Sequence, residues 1–418
     1  VRLLVKTKEE IWEKIDDERD EILKLASDLI KIPSVNPPGD MKEIADFIIN
    51  YLSGYGVDCD IHEPEEGRIN LIASLGSGSG PKLVLNGHMD VVPPGNLDRW
   101  SFPPFSGKIE NGFLHGRGAS DMKGGDAGII TAMRLLTDVE DSLNGQVILT
   151  LVPDEETMGI HGTGWILDQG LVKPDACIIA EPTDVPLIDV GQKGAYWGKI
   201  RVQGIPIHGS LSPYKGDSAI LRACKVMNKM LEITKTKVKQ PKDIVDVIEA
   251  SKPLVEKLIG SEGIGIILSS PTLNIGIIRG GDKVNMVPSE CEIEFDIRLP
   301  IGLKAEDATA RLKELLSEFG DNVELQVVTS IDPNYTAPSA PIVKITRENV
   351  KGALGQEPDI FTQWASSDAR HFRLRGIDTV HYGPAIIEGI HGLDEKVKVD
   401  DIVTATKVYV GATLDYLV

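Results

Sequence analysis

The chain has 418 residues, more than one compact core ordinarily holds, which points to two domains. Apolar residues make up 41% and charged residues 26%, as in ordinary soluble globular proteins. A formal charge of -19 with only 5% aromatics argues against nucleic acid, whose phosphates need Lys and Arg, and against an anionic membrane surface.

Ile11, Ile15, Ile22, Leu25 and Leu29 recur at helical spacing until Pro33 stops the pattern, predicting an amphipathic helix near 17–31. The leader carries no apolar signal segment, and no stretch approaches the roughly 20 apolar residues that span a bilayer. A second helix is expected over 40–54, followed by short apolar runs at Asn70 to Ser74, Lys82 to Leu85, Gln146 to Val152 and Ala176 to Ala180. GSGSG at Gly76 to Gly80 reads as a turn, and Asp126 to Thr137 as a helix opened by glycines. This alternation favours a largely parallel sheet sandwiched by helices, an α/β fold. Cys59, Cys177, Cys224 and Cys291 lie far apart with no CxxC pair, which fits reduced thiols in a cytoplasmic protein.

After about Gly191 the pattern changes. KGAYWGKIRVQG alternates as a strand, Asp217 to Ile233 reads as a helix, and TLNIGIIRGG and PSECEIEFDIRLP as strands. AEDATARLKELLSEFG is a helix and NVELQVVTS a last strand. The order β-α-β-β-α-β is that of a small α+β domain inserted into the first. The segment from about Val238 to Ser270 is extra and reads as a helical excursion. From about Asp332 the α/β pattern resumes, with a helix at 341–354, a strand near Thr379 to Tyr382 and a closing helix at 400–417. The expected domains are 1–191 and 332–418 with the insertion at 192–331.

Short polar motifs follow the apolar runs or open helices: LVLNGHMD, GRGASDMKGG, PDEETMG, IIAEPTD and GIHGLDE. Reactive groups collect at the carboxyl ends of strands in open α/β sheets. His88 is followed two residues later by Asp90, whose carboxylate can hold the other imidazole nitrogen, the usual companion of a metal-bound His. Alone, such a pair also suits an ordinary polar turn. Asp121 lies in a glycine-rich loop that opens a helix; a phosphate cradle is the rival, but Lys123 is outside the GxxxxGK[ST] frame. Glu155 and Glu156 repel each other unless a cation or shared proton offsets them. Their side chains diverge, so one can bind metal while the other faces a reacting water. Glu181 precedes Pro182, which stiffens its turn, and His391 sits among glycines. Two His with three or four carboxylates are typical of Zn²⁺, Co²⁺ or Mn²⁺ in hydrolases. The four negative charges of Asp121, Glu155, Glu156 and Glu181 balance two divalent ions.

These motifs, with GHMDVVPPG and WSFPPF, resemble the co-catalytic zinc aminoacylase/carboxypeptidase family over nearly the whole chain, and most closely its succinyl-diaminopimelate desuccinylase and acetylornithine deacetylase branch. The resemblance implies that Asp121 bridges two metals, that His88 and Glu181 complete one and Glu156 and His391 the other. It makes Glu155 the general base and has Asp90 orient His88, with a cis peptide between Asp121 and Met122. It casts the inserted domain as a lid and dimerisation domain of a homodimer. There His208 reaches the partner subunit's site to stabilise the oxyanion, and Asn285 and Arg298 bind substrate carboxylate. Asp368 and Arg370, in SSDARHF, match a further family stretch. Lys193-Gly194-Ala195-Tyr196 lacks the paired arginines and serine common in desuccinylases, which counts against succinyl-diaminopimelate. The expected activity is metal-dependent hydrolysis of a linear amide, in an N-acyl amino acid within amino-acid biosynthesis. A carboxypeptidase or dipeptidase acting on short peptides is the alternative within the family. A non-catalytic metal- or peptide-binding relative and a two-metal phosphohydrolase are rivals of other classes.

Overall fold

Three of the four apolar runs of the first half, Lys82 to Leu85, Gln146 to Val152 and Ala176 to Ala180, pair in parallel. A computed structural model describes residues 7–77 and 79–418; residues 1–6 and Gly78 of the expected GSGSG turn lie outside that range. The chain divides into two compact units, one of Val1–Val190, Thr336–Phe361 and Ser367–Val418, the other of Gly191–Tyr335 and Thr362–Ser366.

In the first unit, β1 (Lys82–His88) lies between β2 (Gln146–Val152) and β3 (Ala176–Ile179), with β4 (Asp378–His381) beyond β3, all parallel. Antiparallel strands extend both sides: Asn70–Gly76 and then Cys59–His62 beyond β2, and Leu187–Gln192 beyond β4. Leu83, Val84 and Leu85 of β1 and Val147, Leu149 and Leu151 of β2 are buried. Unbroken apolar runs of this kind mark strands covered on both faces. Helix α1 (Gly124–Leu136) is buried along its whole length and packs against the helices Arg19–Lys31 and Val399–Leu417. The helix expected near 17–31 is Arg19–Lys31, and a further helix, Lys8–Asp17, precedes it and meets it at Glu18. Ile11 and Ile15 are core residues of the earlier helix. Pro33 ends the later one as expected, because it forces the preceding Ile32 into an extended conformation.

Gly125 brings α1 close to the end of β3. A Cβ there would lie 2.2 Å from the carbonyl oxygen of Ala180, next to Glu181. Backbone cannot yield as a side-chain tip can. Gly125→Ala is therefore expected to destabilise the fold by about 1–3 kcal/mol, read as a lower urea midpoint.

In the second unit, the antiparallel order is Thr272–Gly280, Glu290–Leu299, Gly194–Gln203, Val323–Ile331. Tyr196, Ile200, Val202, Ile293, Phe295 and Ile297 form one core with apolar residues of the helices Ala219–Met230 and Ala305–Leu316. The chain order is β-α-β-β-α-β. The extra segment carries a helix, Val245–Ile259, and a short 3-10 turn, Ile264–Leu268. Buried Lys193 anchors it, donating from Nζ to the carbonyls of Ile267 (2.8 Å) and Ser270 (3.0 Å). Thr362–Ser366 joins this unit from far along the chain, and Thr362 N–H donates to Ser251 Oγ at 3.0 Å.

Candidate metal centre

Strand register sets the site. His88 ends β1 and pairs with Val152 at the end of β2. Asn86 pairs with Ile179 at the end of β3, so Glu181, two residues on, comes level with His88. Glu155 and Glu156 form a short turn just after β2. Asp121 enters from the loop that opens α1, and its peptide to Met122 is cis. His391 arrives from the opposite end of the sequence. The two oxygens of Asp121 face different imidazoles: Oδ1 is 3.0 Å from His88 Nε2 and Oδ2 is 3.2 Å from His391 Nε2. His391 Nε2 is also 3.1 Å from Glu156 Oε1, and His88 Nε2 is 3.9 Å from Glu181 Oε1. His88, Asp121 and Glu156 offer ligand atoms within 4.8 Å of one another, and so do His88, Glu155 and Glu181. Glu155, read from sequence as the base, thus stands among the ligand candidates.

Asp90 does more than hold His88. Its backbone oxygen is 2.9 Å and its Oδ1 3.4 Å from His88 Nδ1, so this nitrogen carries a proton and Nε2 faces the carboxylates. The fully buried Asp90 carboxylate also accepts from Asn36 Nδ2 at 2.8 Å and from the backbone N–H groups of Glu155 and Glu156, each at 3.2 Å. One side chain therefore aims an imidazole and both glutamates.

Burial raises the pKa of Glu155, Glu156 and Glu181, and neighbouring negative charge raises it further, from Glu181 on Glu155 and from Asp121 on the other two. Hydrogen bonds to Asp121 and Glu156 lift His391 to about 11. Burial works against charge on His88, yet its hydrogen bonds to Asp121 and Asp90 raise its pKa on balance. Burial also works against a charged Asp121, but hydrogen bonds from His391 and His88 hold it below the usual carboxylate range. Glu181 Oε1 is buried and accepts no hydrogen bond. Leaving such an oxygen bare costs about 1–3 kcal/mol or more. A set of converging imidazole nitrogens and crowded carboxylates fits divalent cations, which remove the repulsion and take up the bare oxygen.

A family model for peptidase family M20/M25/M40 matches residues 84–415. The chain belongs to that family. It is 30% identical over 398 residues to a succinyl-diaminopimelate desuccinylase of Rhodospirillum centenum, spanning 93% of this chain and 95% of that one. It is 30% identical over 404 residues to the protein of the same name from Wolinella succinogenes, spanning 94% and 98%. Among solved structures, the M20 family metallo-carboxypeptidase Sso-CP2 from Sulfolobus solfataricus superposes with a TM-score of 0.79 at 22% identity, covering 95% of this chain and 99% of that one. The fold is thus the M20 fold, and the chain is a metal-dependent hydrolase of amide bonds.

The remaining candidates of this M20 chain lie in the second unit. His208 is exposed, with Nδ1 2.8 Å from Ser210 Oγ. Its neighbour Gly209 donates N–H to the carbonyl of Asn285 at 2.8 Å, so the His208 and Asn285 loops are joined side by side. Arg298 stands on the strand Glu290–Leu299 and donates from Nε to Asp296 Oδ2 at 3.0 Å. Lys193 is committed to the extra segment, and burial lowers its pKa to about 7. Tyr196 is buried and its hydroxyl accepts from Thr309 Oγ1 at 3.0 Å.

Some contributors carry no role in the sequence reading. Arg370 is 3% exposed, with Nη1 3.9 Å from Glu155 Oε1. His381 links Ser367 Oγ, 2.7 Å from its Nε2, to Asp189 at its Nδ1, which fixes the start of the Asp368–Arg370 segment from within the core. Arg117 and Glu395 form a buried ion pair beside Asp121. Both sit inside motifs already singled out, at GRGASDMKGG and GIHGLDE, and that adjacency was the available signal.

Proposed function

We propose that this M20 member is a two-metal deacylase that hydrolyses the amide of an N-acyl amino acid. The observation behind this reading is that Asp121 turns its two oxygens toward imidazoles from distant parts of the chain, with Glu155 alongside. In this reading His88 and Glu181 hold one cation, Glu156 and His391 the other, and Asp121 is shared. Zinc suits the donors best, with cobalt or manganese as substitutes, and the pair when bound acidifies the attacking water and polarises the amide carbonyl. Glu155 takes a proton from that water and delivers it to the amide nitrogen, so that the C–N bond breaks to release a neutral amine. Asn285 and Arg298 are assigned to the substrate carboxylate. In a homodimer formed through the second unit, His208 is assigned to the oxyanion. Four unpaired cysteines fit a cytoplasmic setting, and no described helix is long and apolar enough to cross a membrane.

The test is a panel of N-acetyl and N-succinyl amino acids and dipeptides, assayed with added Zn²⁺, Co²⁺ or Mn²⁺. N-acyl amino acids should be turned over ahead of dipeptides. Since Lys193 and Tyr196 are both engaged in the interior, acetyl substrates should outpace succinyl ones. Chelation should abolish turnover and metal should restore it. Faster hydrolysis of dipeptides would move the assignment to the dipeptidase or carboxypeptidase reading, and chelator-resistant turnover would end the two-metal reading.

A further inference from the structure

We infer that Arg117, held by Glu395, positions His391 for its cation, so that this ion pair governs metal binding at one of the two sites. The inference rests on the two-metal reading. His391 needs such a device. Its backbone is left-handed at φ 60°, a conformation L-residues seldom adopt, and its side chain is 47% exposed, so packing does not hold it. Arg117 supplies what packing does not. It is 2% exposed, and its Nη2 donates to the backbone carbonyls of His391 (3.3 Å) and Gly392 (3.0 Å). Its Nη1 pairs with Glu395 Oε2. The other oxygen of Glu395 accepts the backbone N–H groups of Ser120 (3.0 Å) and Asp121 (3.1 Å). The same carboxylate thus fixes the backbone of Asp121 and, through the arginine, the backbone of His391.

The WSFPPF loop closes over this pair. The Trp100 ring lies 5.3 Å from the Arg117 guanidinium, and Ser101 donates from N and Oγ to Asp394 at 2.7 and 2.8 Å. The ion pair is not needed to bring the two segments together. Strand Lys396–Lys398 already pairs with Phe113–His115. The pair therefore acts on the finer placement of the loop between strand and ligand. A lysine cannot replace the arginine, because its single ammonium does not fork between a carboxylate and two carbonyls.

The experiment uses the full chain, with Zn²⁺ stoichiometry and dissociation constants measured by competition against a chelating dye, and melting followed without metal. Variants are Arg117→Lys, Glu395→Gln and His391→Ala, with Arg117→Lys also combined with His391→Ala. Wild type should bind two ions. Arg117→Lys should keep one tight ion and bind the other 10–100-fold more weakly, the usual loss when the partner of a metal ligand is removed. It should add nothing to His391→Ala, because both changes act on one ligand. Glu395→Gln retains an acceptor for Ser120 and Asp121 and should show the same one-site loss if Arg117→Lys fails to fold. Two ions held with wild-type affinity in both variants, or losses additive with His391→Ala, would overturn this inference alone. A wild-type chain that binds fewer than two ions would overturn the two-metal reading and this inference together.

Discussion

Glu155→Gln is expected to lower kcat by roughly 10²–10⁴-fold, the range for loss of a general acid–base group, while metal content stays near that of the wild type. The amide has the size of the carboxylate but neither takes a proton from water nor hands one to the leaving nitrogen. Its backbone position should persist, because the Asp90 carboxylate holds the N–H groups of both residues 155 and 156. Five other ligand candidates remain untouched. The measurement is kcat alongside zinc per chain. Wild-type kcat would remove Glu155 from the proton path. A parallel loss of zinc would make it a ligand instead, a role its grouping with His88 and Glu181 also permits. Glu155→Ala should agree in direction, with a further loss from the space opened beside Arg370, whose Nη1 lies 3.9 Å from the carboxylate.

The positions of the ligand candidates were legible because the chemistry sits where the hydrophobic pattern stops. The run Leu83–Leu85 announces β1, and His88 is the last residue of that strand. The same logic places Glu155 and Glu181 just past β2 and β3. What joins them was not legible. Alternation along a strand suggested that the Asp90 carboxylate serves His88, but the strand ends at His88, so the backbone carbonyl of Asp90 is the nearer partner and its carboxylate also receives two amides from the glutamate turn. The helix Lys8–Asp17 was not set apart from its neighbour Arg19–Lys31, because apolar spacing continues through Glu18; periodicity reports a face, not the start and end of an axis. Arg117 and Glu395 are charged residues in quoted motifs, and pairing across such a separation leaves no local trace.

Asp121→Asn is expected to weaken both ions together and to cut turnover by roughly 10²–10³-fold or more, the scale of removing one preorganised electrostatic group. Asparagine offers one oxygen where Asp121 offers two, and no negative charge, so the imidazoles of His88 and His391 lose their shared counter-charge. The pH dependence provides a separate check. Burial raises Glu156 and Glu181, and hydrogen bonds to Asp121 and Glu156 lift His391 to about 11. Cations must displace these protons, so metal affinity should rise with pH and binding should release protons. Without the Asp121 charge, His391 loses its largest cause of elevation and its pKa falls, so the pH above which it has no proton to give up falls too. The residual affinity of Asp121→Asn should therefore be lower at every pH, and its rise with pH should level off earlier. Calorimetric titrations in buffers of different ionisation enthalpy measure that proton release directly. Two tightly bound ions in Asp121→Asn, with the wild-type pH slope, would mean that the two sites do not share this carboxylate.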